Sequence, residues 1–399
     1  MSTAVLTRPQ KFDLSALADT ALKAATRSWF VVTLLSQLMF GFAVATFYGL
    51  TALRGDYHGW NFTHGFVPGI TKGNWSVVMH VSTAAVIMLS GAVQLIPQVR
   101  SRFPLFHRWN GRIYMLSAVA LSGAGLYMHW VRGSVGDLPQ HLGGTLNAVL
   151  IWAFAGLALR YAMARDFRTH RRWALRLFLV VSASWFFRLG FFLILMIYRR
   201  PVGFDPATFA GPLPTFMSFS QYLIPLAILE IYFWAQDRPG ALRRLATAGL
   251  LFVCTLGMVA GTFAVTMAIW VPQVRAGFDP RISVAETLSK TISTGGIDQA
   301  IQQYHALKTT EPSTYNFDES QLNSLGYRLI RKKDFKAAIR IFQLNIESFP
   351  KSSNAYDSLA EAYMDDGDKP LAIANYQKAL ELNPNNGNSA SMMKKLTVQ

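Results

Sequence analysis

The chain has 399 residues, of which 51% are apolar or aromatic and 15% charged, with a mean hydropathy of +0.24. That is too apolar for an ordinary soluble domain and excludes disorder. The formal charge of +16 fits nucleic-acid binding or the cytoplasmic rims of membrane helices. Its distribution separates the two. Residues 1–279 carry 24 basic and 9 acidic side chains, whereas residues 280–399 carry 14 and 13. The excess lies in the apolar part, so the bilayer, not nucleic acid, is the expected partner.

In chain order, residues 1–28 read as a polar cytoplasmic segment. The first apolar run, Trp29–Leu50, is longer than a signal-peptide core and reads as a retained span. Apolar stretches near 29–50, 75–97, 110–131, 144–164, 174–198, 215–235 and 245–271 are each long enough to cross about 30 Å of hydrocarbon. Barrel strands would be half this length and would alternate. The predicted fold is therefore all-α, a seven-helix transmembrane bundle over 29–271 followed by a linker at 272–282 and a soluble helical domain over 283–399. Alternate connections hold 17 and 6 Lys and Arg, respectively. The richer side, with the N-terminus, is expected in the cytoplasm, and seven crossings put the C-terminal domain outside, periplasmic in a bacterium. The single cysteine, Cys254, excludes an internal disulfide, a Cys-ligated Fe–S cluster and a CxxC zinc site.

Polar side chains inside this bundle are the candidate functional residues. Seven of the eight histidines fall in two layers. His80, His129 and His141 belong to the outer layer, with His58 and His64 in the first outer loop. Two neutral imidazoles on facing helices can ligate haem iron, so His80 with His129 or His141 is the candidate b-type haem pair. The other reading is a rim histidine bonded to a loop carbonyl. On the cytoplasmic side, Phe106-His107-Arg108-Trp109-Asn110-Gly111-Arg112-Ile113-Tyr114 and Arg168-Thr169-His170-Arg171-Arg172-Trp173-Ala174-Leu175-Arg176 form a polar cluster. Helical spacing puts His107, Gly111 and Tyr114 on one face. Arg and Trp suit lipid headgroups there, and the same groups could hold haem propionates or a substrate phosphate.

These segments, with His80 and Gln94 in the preceding span, resemble a prokaryotic membrane family known as domain of unknown function 2306. His107, Arg108, Gly111, Arg112, Tyr114, His170, Arg171, Trp173 and Arg176 match its layout, and the resemblance covers roughly 30–235. It implies a multi-pass membrane protein and brings no biochemical role. A looser likeness, on histidines in helices alone, is to four-helix membrane cytochromes of the b type.

Further along, Arg188 lies near the middle of the fifth expected span and Glu230 in the inner third of the sixth. Intramembrane charges are costly and are normally paired or facing a cavity. An axial offset of about 12 Å separates the two, so a direct pair needs shifted boundaries, and Gln37 and Gln94 are other candidate partners for Arg188.

Beyond residue 283 the sequence repeats. Leu325-Gly326, Ala338, Phe342 and Pro350 recur 34 residues later as Leu359-Ala360, Ala372, Tyr376 and Pro384. A weaker copy, Ala300, Tyr304, Leu307 and Pro312, precedes them, with an insertion near Tyr315–Asp318. The pattern resembles the tetratricopeptide repeat, about three units with a capping helix at 389–396. Such a stack implies a concave surface for a protein or peptide partner.

Three functions remain open: a membrane-anchored interaction protein, a haem-binding redox protein, and a small-molecule transporter or sensor. No Walker loop, GxSxG, HExxH or dinucleotide-binding turn is present, so an enzyme is the less favoured class.

Overall fold

The computed structural model describes residues 13–54, 71–133, 136–199, 202–205 and 208–397. His58 and His64 lie outside them. The chain divides between Phe278 and Asp279 into two compact units.

Among its described residues, the regular elements of the first unit are all helices. Helix α1 (Leu14–Leu53) begins well before the apolar run, because Asp13 caps it by accepting from the backbone N–H of Ser15 at 2.9 Å. At 40 residues it reaches about 60 Å, twice the hydrocarbon thickness. Its first turns are not left bare: Ala18, Leu22 and Ala25 are buried, and Asp19 pairs with Arg244. Then follow α2 (Thr71–Gln94), a short α3 (Pro97–Arg102) and α4 (Pro104–Tyr127), which runs on as a π-helical turn over Met128–Gly133. After these come α5 (Leu138–Met163), α6 (Phe167–Val181), α7 (Ala183–Tyr198) and α8 (Pro212–Asp237). The last run is α9 (Ala241–Val265), a second π turn (Thr266–Trp270) and α10 (Val271–Phe278). Aspartates cap two of the helix starts: Asp137 accepts from Gln140 N, and Asp166 from Thr169 N.

Five helical runs are long and apolar enough to cross a membrane, and the pair α6–α7, bent by 49°, makes a sixth. The seventh expected stretch is α4. Its 24 residues suffice in length, but Asn110, Arg112 and several serines and glycines dilute its apolarity. The fifth expected stretch is not one helix either: it breaks at Ser182, where α6 hands over to α7. The core is aromatic. Phe40, Ile87, Met88, Trp185, Tyr222 and Trp270 are buried, while Leu116 (71%), Val253 (66%) and Leu256 (56%) are exposed, as a lipid-facing surface requires.

The second unit is a stack of helices. Helix α11 (Val284–Thr310) is broken at Gly296, whose φ of 82° no helix accommodates, and so supplies two arms. Two full pairs follow, α12 (Glu319–Arg331) with α13 (Phe335–Ser348), then α14 (Ser353–Asp366) with α15 (Lys369–Leu382), and α16 (Gly387–Thr397) closes the stack. Ser283, Asp334, Ser352 and Asp368 each cap a helix by accepting a backbone N–H three residues on. The expected insertion has a structural use: Tyr315–Asn316 (β2) pairs in parallel with Ile282–Ser283 (β1), tying the start of the unit to its second helix pair. Within α12–α13, a Cβ at Gly326 would meet the Phe342 ring, so only glycine lets the two helices close on that buried aromatic.

Candidate functional site

The polar residues of the bundle fall into three layers. At the arginine-rich end, α2 and α4 are latched together. The Gln94 amide donates to the His107 carbonyl at 2.9 Å, and the Asn110 amide donates to Gln94 Oε1 at 2.8 Å and to the Ser90 carbonyl at 3.0 Å. Two glycines allow this approach: a Cβ at Gly111 would lie 2.7 Å from Gln94 Nε2, and one at Gly91 2.7 Å from the Tyr114 ring. Gly111 and Tyr114 are therefore contact residues of a helix pair. His170 Nδ1 lies 2.8 Å from the Ala158 carbonyl and holds the start of α6 to α5. Arg108, Arg112 and Arg171 stay exposed, with the Arg112 guanidinium over the Trp109 ring at 4.7 Å.

The same layer holds ion pairs that composition alone did not suggest. The Arg176 guanidinium donates to both Glu230 oxygens, at 2.7 and 2.9 Å. One turn earlier Arg172 pairs with Asp237 at 2.5 Å. Arg176 also stacks over Trp173 at 4.6 Å. Arginines at i and i+4 on α6 thus face acids at i and i+7 on α8. The signal was in the sequence as spacing, but no periodicity within either helix links them.

Mid-depth is a buried network of neutral groups. Gln37 donates to Ser182 Oγ at 2.9 Å, Trp185 Nε1 donates to Ser36 Oγ at 3.0 Å, and Ser36 and Thr262 share a hydrogen bond at 2.8 Å. It joins α1, α7 and α9 at the point where α6 and α7 part.

The outer layer brings the predicted histidines together. The rings of His129 and His141 are 5.1 Å apart, centroid to centroid, and Trp130 lies 5.9 Å from His141 while donating through Nε1 to Thr145 at 2.9 Å. Gly144 makes room: a Cβ there would be 2.8 Å from His129 Nε2. His80, on α2, lies against the Leu121 backbone. Its Nδ1 is buried without a hydrogen-bond partner among the described residues.

Arg188 does not meet Glu230, whose carboxylate Arg176 occupies; nor do Gln37 or Gln94 turn to it, being bonded to Ser182 and to His107 and Asn110. It donates to the Ser184 carbonyl at 2.8 Å, lies 5.1 Å over the Phe40 ring and interacts with Tyr48. A charge at this depth costs about 2.5–3.5 kcal/mol on insertion scales. One carbonyl and one ring offset part of that.

The helical unit carries its own polar cluster. Tyr327 on α12 donates to Glu361 at 2.6 Å, and Asn388 on α16 donates to Asp357 at 2.8 Å and to Glu361 at 2.7 Å. Ser389 also donates to Asp357. Among the described residues no group of three or more metal-ligating side chains converges.

Two segments of the chain match known family models. Residues 77–208 match the family model described as predicted membrane protein (DUF2306). Residues 353–386 match the tetratricopeptide repeat. The DUF2306 match is narrower than 30–235. It runs from α2 to just past α7, so it takes in both histidine layers and Arg188 but neither Tyr48 nor Glu230. No match is found among curated proteins.

Proposed function

We propose that this multi-pass membrane protein displays a peptide-binding repeat stack at the extracytoplasmic face of a bacterial inner membrane. The observation that carries the reading is the stack formed by α11, with its two arms, the pairs α12–α13 and α14–α15 and the closing α16. A stack of this kind offers a concave surface, and binding is the work such surfaces do. The side follows from charge and parity: with α4 as a crossing, seven helices carry the chain from a cytoplasmic start to the opposite face. The test is protease access. In intact spheroplasts, added protease should degrade an epitope after Gln399, and in sealed inverted vesicles the epitope should survive. The reverse pattern would put the repeats in the cytoplasm and remove the extracytoplasmic reading.

A further inference from the structure

We propose that the corner between α3 and α4 binds an anionic phospholipid, its phosphate among four arginines and its acyl chains along α4. The site is independent of the repeat stack and of the side of the membrane on which the corner stands.

The first observation is charge without neutralisation. Arg100 and Arg102 close α3, and Arg108 and Arg112 follow in the first turns of α4. All four are exposed. No Asp or Glu stands between Asp56 and Asp137 in the sequence. None of the four arginines forms an ion pair among the described residues, whereas Asp237 and Glu230 are held by Arg172 and Arg176 of α6. Arg108 Nε donates to the Pro104 carbonyl at 3.4 Å, and the Arg112 guanidinium lies over the Trp109 ring. The remaining N–H groups suit phosphate oxygens, which a guanidinium grips two at a time.

The second observation is apolar. Phe103 (62%), Leu105 (63%) and Phe106 (51%) are exposed at the corner itself. Helical spacing puts Leu105, Trp109, Arg112 and Leu116 on one face of α4, and each is exposed. The opposite face is committed to α2, through the bond from Asn110 to Gln94 and the packing of Tyr114 on Gly91. Bare aromatic and aliphatic side chains beside arginines are the pattern of a bilayer interface, with indole at headgroup depth. Beyond Arg112 the stripe turns aliphatic, so one face offers phosphate donors and a path for hydrocarbon. A small aqueous anion would use the first and leave the second bare. A zwitterionic headgroup would bring its own cation against four unneutralised guanidiniums. An anionic phospholipid matches both parts.

Full-length protein in a neutral maltoside detergent is titrated with phosphatidylglycerol and, separately, with phosphatidylcholine of the same acyl chains, and bound lipid is counted by native mass spectrometry. The wild type should retain phosphatidylglycerol at concentrations at least about tenfold lower, since each basic residue near an anionic surface adds about fivefold. Arg102→Gln with Arg112→Gln should abolish that preference. Lys336→Gln with Lys351→Gln, which removes the same charge from the repeat unit, should keep it. Should the arginine double variant fail to accumulate, Arg100→Gln with Arg108→Gln is measured instead, with the same expectation. Equal retention of the two lipids by the wild type overturns the proposal, as does a preference unchanged in the accumulating arginine variant or lost equally in the lysine variant. Full displacement of phosphatidylglycerol by inorganic phosphate would assign the arginines to an aqueous anion, and a protein dimer that excludes the lipid would assign the face to a second copy of the chain; either result also overturns it.

Discussion

At the scale of single residues, what matters is which glycines face a neighbour. Gly111 and Gly123 stand on the same helix, but a Cβ at Gly111 meets the hydrogen-bonded Gln94 amide, whereas one at Gly123 meets nothing within 4 Å. Both alanine variants gain the same helix propensity, so their difference isolates packing. Gly111→Ala should be less stable than Gly123→Ala by about 1–3 kcal/mol, read as a lower thermal midpoint in detergent. Equal midpoints would mean that Gln94 swings away freely. The motif residues were legible in the sequence as a group. Their division between a helix–helix latch and exposed arginines was not, because it depends on which face of α4 meets α2.

At the scale of elements, the repeat unit ends in an interface held by carboxylates. Burial raises the carboxyls of Asp357 and Glu361 above their usual range, against the opposing effect of hydrogen bonds from Ser389, Asn388 and Tyr327. A carboxyl whose folded-state value is raised binds more protons folded than unfolded. Its contribution to stability is fully present below the unfolded value of about 4 and is lost as pH rises through the folded value. Hydrogen exchange in the full-length protein should therefore give α16 larger protection factors at pH 5 than at pH 8. Asp357→Asn should flatten the difference, and an unchanged pH dependence in that variant would exclude Asp357 as its source. The repeat period was readable because it is local, with one pair every 34 residues. The carboxylate interface was not, since it joins α12, α14 and α16 across two turns of the stack.

For the whole molecule, the number of crossings decides on which side the repeats stand. Length and apolarity account for six, and α4 is the helix on which the seventh depends. A reporter inserted between Gly133 and Leu138 should read extracytoplasmic, and one between Met163 and Phe167 cytoplasmic. Both reading cytoplasmic would make α4 and α5 a pair that does not cross separately, and the C-terminal unit would change sides. The uneven basic charge of alternate connections predicts which face is inner, and parity converts that into an address for the repeats only when every crossing is counted.

Sequence alone determined the class of molecule: apolar runs of spanning length, a lopsided basic rim and a 34-residue period are properties of one-dimensional order, set by hydrocarbon thickness and by helix geometry. It also singled out the histidine layers and Arg188, because polar groups stand out against an apolar background. Only the tertiary structure decided their partners. Glu230 went to Arg176 and left Arg188 with a carbonyl and an aromatic ring as neighbours, because pairing depends on the rotation and offset of separate helices. Those are fixed by packing at Gly91, Gly111 and Trp185, whose contacts lie on other helices.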